Sequence, residues 1–346
     1  TSGTTGHPKG AMVTQLNIVH SVMHFAQAMG LGEADRSVLA VPLSHVTGLV
    51  AQLYSLLHAR ACMVLMPQFK AADFVRLAVQ ERMSCVILVP AMYNLCLLLP
   101  DLPVQALQHW RIGAYGGAVM PTATIDGLAA RLPGLVLMNA HGATETCSPA
   151  TIMPAGATQA HGDSVGRVVP CGELAIVDDA GCELPPGGVG EIWIAGPMVV
   201  PGYWRNPAAT ARDFCGGYWR SGDIGSIDTA RRVRLFDRRK DMIIRGGYKV
   251  YSTEVENVLH RLPGVIEAAV VPAPCPVLGE RVHAFLHGPS RIDLQDVRNQ
   301  CAQHLADYKL PDFLTLVPEP LPRNLNGKLV KQPLREEAAR QARERG

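Results

Sequence analysis

The sequence has no C-x-x-C pair, although nine cysteines are scattered over its 346 residues. Without that spacing there is no zinc ribbon or dithiol redox motif to read. An odd, dispersed set points to thiols kept reduced inside a cell, so a cytoplasmic protein is expected. Long apolar runs are missing too. None reaches the roughly 18 residues of a transmembrane helix, and the longest candidates, such as 95–99, are the size of core segments. Neither sign of charge dominates: 32 Lys and Arg stand against 30 Asp and Glu. That balance argues against a nucleic-acid-binding stripe or an acidic tail. No signal peptide, internal repeat or low-complexity segment is visible. What is present is an apolar content of 48%, enough for real cores, in a length that implies about two domains at the usual ~150 residues each.

The first two-thirds of the chain alternates helical and strand-like stretches. Residues 17–29 carry Ile18, Val22, Phe25, Ala26 and Met29 as a helical stripe, and 73–82 repeat the spacing with Phe74, Leu77 and Ala78. Short apolar runs at 37–41, 61–66, 84–89 and 135–139 read as buried strands. This alternation predicts an α/β fold with a largely parallel sheet. From about Gly166 the texture becomes glycine- and proline-rich with strands at 173–177 and 190–195, a β-rich subdomain. Near Asp237 a basic cluster (Arg231, Arg232, Arg234, Arg238, Arg239, Lys240) marks a boundary. Thr253 to Glu256 then has the form of a capping box, followed by Val255, Val258, Leu259 and Leu262 on one helical face. Residues 265–271 read as a strand. Asp293 can cap a helix bearing Leu294, Val297, Cys301 and Leu305. The remainder is a small α+β domain.

The first ten residues are Thr1-Ser2-Gly3-Thr4-Thr5-Gly6-His7-Pro8-Lys9-Gly10. Glycines let backbone approach a ligand, while N–H groups and hydroxyls donate to phosphate oxygens and Lys9 adds positive charge. The common P-loop is excluded, because it needs Ser or Thr directly after its Lys and here Gly10 follows. A flexible surface turn is the plain alternative.

Taken whole, this decapeptide resembles the signature phosphate-binding loop of the adenylate-forming superfamily, the acyl- and aryl-CoA synthetases and their adenylating relatives. Further stretches resemble that superfamily in its order. They are Pro42 to Gly48, Ala114 to Ala118, His141-Gly142-Ala143-Thr144-Glu145, Tyr218 to Asp223, Asp237 to Asp241, Arg245 to Val250, and Pro322 to Lys328. The stretches 161–167 and 190–210 match as well, the latter with a structural role. Gly162-Asp163-Ser164 also has the look of a carrier-protein attachment site, but it lacks the helical bundle such a site needs.

The resemblance implies a large α/β domain over 1–236, with its β-rich part at about 166–236. It implies a hinge at 237–240 and a small mobile domain over 241–346. In the superfamily the phosphate loop lies well inside the large domain, so a large domain incomplete at its N-terminus is expected. The implied reaction joins a carboxylic acid to ATP as an acyl-adenylate and then to the thiol of coenzyme A. A carrier protein acting in trans is the alternative acceptor, and an impaired nucleotide-binding fragment is the alternative state.

Roles follow by position. Thr1, Ser2, Gly3, Thr4, Thr5, Gly6 and Lys9 would hold phosphates. Gly117, His141 and Gly142 would pass the adenine, and Asp223 and Arg238 would hold the ribose. His141 stands where the superfamily usually has Tyr. Thr144 and Glu145 would act at the α-phosphate, with Glu145 binding Mg²⁺, a cation that prefers carboxylate oxygen. Lys328 would be the catalytic lysine and Lys240 the hinge. Gly246 and Gly247 would line the coenzyme A channel. His45, Tyr115 and Gly116 would line the acyl pocket.

Overall fold

Helix α1 (Gln15–Met29) begins at a reciprocal cap. Asn17 N–H donates to Thr14 Oγ1 at 3.2 Å while Asn17 Oδ1 accepts the Thr14 N–H at 2.9 Å, satisfying two donors that a helix start otherwise leaves open. Gly30, at φ 55, ends it in the left-handed conformation. These features come from a computed structural model that describes residues 1, 8–288, 291–324 and 328–345. The chain divides into two units, Thr1–Ser221 with Gly225–Leu235, and Gly222–Ile224 with Phe236–Gly346.

In the first unit, β1 (Arg36–Leu39) pairs in parallel with β2 (Cys62–Leu65). A π-helical turn (Thr47–Tyr54) and the short α2 (Ser55–His58) lie between them in sequence. Next come α3 (Ala71–Gln80), β3 (Cys85–Leu88), α4 (Pro90–Leu97), β4 (Ile112–Tyr115), α5 (Thr122–Arg131) and β5 (Val136–His141). Strands β3, β4 and β5 pair in parallel in that order, and β6 (Thr151–Ile152) and β7 (Arg167–Val168) extend the sheet antiparallel. All four residues of β3 are buried, which is why Cys-Val-Ile-Leu reads as a continuous apolar run: both faces of a parallel sheet are covered. Leu88, Tyr93, Tyr115 and Leu128 belong to one core cluster, and Phe25, Ile87, Ala114 and Met138 to another. Consecutive strand residues thus feed opposite cores, as the two-residue strand period requires.

Asp35 sits just before β1. Its carboxylate accepts from Gly32 N–H at 2.9 Å, Ser84 Oγ at 2.6 Å and Arg111 Nη2 at 2.7 Å. Burial pushes this carboxyl up, but the bonds from Arg111, Ser84 and Gly32 outweigh it and hold it below the ordinary value.

A further sheet follows, with β8 (Glu173–Val177), β9 (Gly190–Ala195), α6 (Pro207–Asp213), β10 (Phe214–Cys215), β11 (Tyr218–Ile227) and β12 (Val233–Arg238). Strand β8 pairs with β9 and β10 with β11 antiparallel, while Gly222–Ile224 of β11 and the end of β12 from Phe236 belong to the second unit. The order is β10-β11-β9-β8, with β12 on β11.

The second unit contains β13 (Ile243–Arg245), β14 (Tyr248–Val250), α7 (Ser252–Leu259), β15 (Glu267–Cys275), β16 (Gly279–His287), α8 (Leu294–Cys301), β17 (Phe313–Val317) and α9 (Gln332–Arg345). Strands run β14-β13-β16-β15, and β17 joins β16 in parallel. Val255, Leu259, Val270, Val282 and Val297 form one core, and Ala269, Val271, Phe285, Leu334 and Ala338 another. Asp293 caps α8 as its position predicts, accepting from Asp296 N–H at 2.8 Å.

The capping box expected at Thr253 to Glu256 is not formed. Helix α7 starts two residues earlier than that box implies, at Ser252 after Tyr251, with no side-chain cap. Glu256 instead accepts the N–H of Val270 at 2.8 Å and pairs with Lys331 at 2.6 Å. A long-range buried ion pair has taken the side chain that a local rule assigned to the helix end.

Candidate active site

Parallel strands expose their carboxyl ends on one edge, where α/β sheets place ligand sites. In the first unit β4 ends in Tyr115-Gly116 and β5 in His141-Gly142. Gly116 is dictated by crowding there, since a Cβ would stand 2.3 Å from the Ala140 carbonyl oxygen of the neighbouring strand. After His141 the chain makes a single 3-10 turn, Thr144–Thr146. Ala143 N–H donates to Thr146 Oγ1 at 2.9 Å and fixes the turn. Cys147 and Ser148 follow at φ 49 and 69, left-handed values unusual for residues with a side chain.

Glu145 is 7% exposed. Its Oε1 accepts from the phenol of Tyr203 at 2.9 Å, and its backbone oxygen accepts the Val200 N–H at 2.9 Å. Burial, and then the adjacent Glu145 carboxylate, push the Tyr203 phenol well above its ordinary value. Lys9 Nζ lies 4.2 Å from the centre of the Tyr203 ring and 2.6 Å from Asp213 Oδ2. Its charge is therefore engaged by a carboxylate and an aromatic face. The amino group of Thr1 donates to the Lys9 carbonyl at 2.6 Å. Ser2, Gly3, Thr4, Thr5 and Gly6 lie outside the described residues. His45 faces its own turn: Nδ1 accepts the Thr47 N–H at 3.2 Å.

Tyr115 corrects an expectation. It is 1% exposed and packs in the core cluster with Tyr93 and Leu128, and burial pushes its phenol up to about 12. The family resemblance of Ala114 to Ala118 implied that Tyr115 lines the acyl pocket. Its place on the strand turns it into the sheet instead.

The second unit gathers another set. Asp223 and Arg238, both expected at a ribose, pair with each other at 2.7 Å, with 6% of the Asp223 side chain exposed. Asp237 accepts the N–H of Arg238 at 2.8 Å and that of Ser252 at 2.5 Å. Burial raises its carboxyl above the ordinary value despite Lys331 and those bonds. The Lys240 carbonyl accepts from Arg335 at 2.9 Å, and Arg335 also pairs with Asp241. Burial lowers the Lys240 ammonium from its ordinary value. Gly246 and Gly247, at φ 56 and 88, form the tight turn between β13 and β14, a backbone shape that residues with side chains rarely adopt. Lys328 N–H donates to Asn324 Oδ1 at 3.0 Å.

Among the described residues no cluster of three or more His, Cys, Asp or Glu side chains could hold a metal. Mg²⁺ uses one or two carboxylates and takes its other ligands from water and phosphate. Glu145, with the Thr144 hydroxyl beside it in sequence, is a hard-oxygen donor set of that kind.

The sequence did not point to Tyr203, Asp213 or Lys331. Tyr203 lay in the matched stretch 190–210, read there as structural, and each of the three acts through a partner far along the chain, which no local motif discloses.

Residues 1–204 match the AMP-binding enzyme family, and residues 254–328 match the AMP-binding enzyme C-terminal domain. The chain belongs to the AMP-binding enzyme family. Similar relatives include a long-chain-fatty-acid–CoA ligase of Mycobacterium tuberculosis, 34% identical across 97% of this chain and 66% of that protein. An indoleacetate–CoA ligase of Aromatoleum aromaticum is 35% identical across 98% of this chain and 66% of that protein. Among solved structures, the o-succinylbenzoate CoA synthetase of Bacillus subtilis in complex with its acyl-adenylate intermediate matches with a TM-score of 0.87. Its identity is 30%, covering 96% of this chain and 67% of that one. The chain thus spans about two thirds of the length of the curated relatives it matches. No helix among the described residues is long and apolar enough to cross a membrane.

Proposed function

We propose that this AMP-binding enzyme chain carries the machinery of an acid–thiol ligase. A carboxylate attacks the α-phosphorus of ATP, giving an acyl-adenylate and pyrophosphate. The thiol of coenzyme A then displaces AMP to give the acyl-CoA. The observation that carries this reading is the family match on both sides of the crossing segment, shared with relatives named as CoA ligases. The buried Glu145 at the end of β5 is consistent with it.

The obstacle in the first step is electrostatic, because an anion approaches a polyanion. Positioning and charge neutralisation do most of the work in such transfers. Residues Thr1 to Gly6 hold the leaving pyrophosphate. Thr144 bonds the α-phosphate, and Glu145 holds Mg²⁺, which when bound offsets phosphate charge. Lys328 adds a positive charge at the reacting phosphate. His141 and Gly142, with Gly117, pass the adenine, while Asp223 and Arg238 take the ribose hydroxyls. For that, their mutual pair must open or share its bonds. His45 and Gly116 border the acyl group, and Tyr115 is left out because it is in the core. No general base is required, since a carboxylic acid is already ionised at neutral pH.

For the second step the domain beyond Asp237 turns about Lys240, a hinge-type change. Lys328 leaves, and the Gly246-Gly247 turn borders the entering thiol. Domain bounds of 1–236 and 241–346 follow from this reading. Acid-dependent pyrophosphate exchange over a panel of carboxylic acids tests the first step. Coenzyme A compared with a holo-carrier protein as acceptor tests the second. Exchange that no acid stimulates would overturn the proposal.

A further inference from the structure

We propose that Tyr203 is a positioning residue for acid activation, holding the Glu145 carboxylate in one orientation and tying it to the foot of the phosphate loop. The proposal rests on the reading of Glu145 as the Mg²⁺ carboxylate.

The corner at 197–204 is a cross-tie between two segments that meet at this edge of the sheet. On one side Tyr203 Oη donates to Glu145 Oε1 at 2.9 Å and Val200 N–H to Glu145 O at 2.9 Å. On the other, Trp204 N–H donates to Gly10 O at 2.7 Å and Met12 N–H to Gly202 O at 3.0 Å. Asn17, in the first turn of α1, donates to the carbonyls of Pro197 at 2.7 Å and Val199 at 3.0 Å. The Tyr203 ring also carries Lys9 on its face. The tyrosine itself is immobilised: it is 3% exposed, its N–H donates to Thr210 Oγ1 at 2.9 Å, and its ring meets Phe214 edge-on at 5.5 Å.

A glutamate on a single 3-10 turn has three side-chain torsions to settle. A neutral donor fixed against one carboxylate oxygen selects one arrangement and leaves the second oxygen to a cation. Hydrogen bonds to a charged group are stronger than neutral ones, so losing this one loosens the carboxylate without removing its charge. A phenol suits the task because it orients the carboxylate and adds no charge to compete with the metal.

Tyr203→Phe deletes the donor and keeps the ring under Lys9. Mn²⁺ binding in the presence of ATP, followed by electron paramagnetic resonance, is expected to weaken about tenfold, the loss of one charged hydrogen bond. The Mg²⁺ midpoint of pyrophosphate exchange should rise by a similar factor. Thioester formation from supplied acyl-adenylate should change less than about twofold, since the metal-assisted step is bypassed. Protein with 3-fluorotyrosine at position 203, which keeps ring and donor, should retain the wild-type midpoint. A midpoint shifted there as far as in Tyr203→Phe overturns the proposal, whatever the stability of the phenylalanine variant. So does an unshifted midpoint in Tyr203→Phe when Glu145→Gln shifts it. If Glu145→Gln itself leaves Mn²⁺ binding and the midpoint unchanged, the reading of Glu145 fails instead.

Discussion

Lys331 Nζ lies 2.6 Å from Glu256 Oε1, with 13% and 15% of the two side chains exposed. The same ammonium donates to Ser252 Oγ at 2.7 Å. Burial alone would lower the lysine, but Glu256, Asp237 and Asp241 outweigh it and keep it charged. The cluster joins α7, the crossing segment and the stretch that follows Lys328 within one unit. Breaking a buried pair from one side leaves an uncompensated charge, at a cost of about 3–5 kcal/mol. Lys331→Met should therefore destabilise the protein by that order in chemical denaturation. Lys331→Met combined with Glu256→Leu should recover much of the loss. Additive losses in the double variant would show that the two side chains are not coupled.

The Asp223–Arg238 pair makes a contrasting prediction. Asp223 is buried while 47% of the Arg238 side chain is exposed, so the pair contributes little stability by itself. Its proposed value lies in the ribose contact. Asp223→Ala should weaken ATP binding by about ten- to a hundredfold, the loss of charged hydrogen bonds, while binding of inorganic pyrophosphate is spared. Calorimetric titration with both ligands separates them, and equal weakening of the two would exclude the ribose role.

Lys328→Ala should reduce adenylate formation by about a hundred- to a thousandfold, the scale for removing one preorganised electrostatic contact. Thioester formation from supplied acyl-adenylate should persist near the wild-type rate. Pyrophosphate exchange surviving unchanged in the variant would take the catalytic role from this lysine.

Two buried histidines predict acid sensitivity. His24 is 5% exposed and His283 is fully buried. Burial, aided by His20 in the first case and Arg345 in the second, lowers each from 6.5 to about 4. Above 6.5 both folded and unfolded chains hold the rings neutral. As the pH falls toward 4 the unfolded chain takes up protons that the folded one excludes. Stability is thus full above 6.5 and is lost through this window, by up to about 3 kcal/mol for each ring. Denaturation of the wild type and His283→Gln at about pH 7.5 and about pH 4.5 checks this. The variant should lose less on acidification, and an identical loss would rule out a neutral His283.

Much of the architecture was legible because its signals are local. The strand Cys85–Leu88 is an uninterrupted apolar run, and the stripe Val22, Phe25 and Met29 does face a core. Asp293 caps its helix from three residues away. The same stripe did not disclose that Asn17, Ser21 and His24 are buried beside it while Leu16, Val19 and Met23 are exposed. Periodicity reports which face is apolar on average, and a capping or buried polar residue breaks the average for its own reasons. Tyr115 is a second case: the family resemblance set it at the acyl pocket, and the alternation of the strand turns its ring into the core.

The sequence by itself determined which chemical groups are available and in what order: a hydroxyl-rich loop ahead of a Thr-Glu turn, a Gly-Asp strand, a basic crossing and a late lysine. Tertiary structure alone decided what those groups answer to. Glu145 meets a phenol 58 residues away, and Lys331 meets a hydroxyl 79 residues away. The physical reason is that a buried charge must find a partner wherever packing brings one, and packing, unlike periodicity, is not a property of any stretch of sequence.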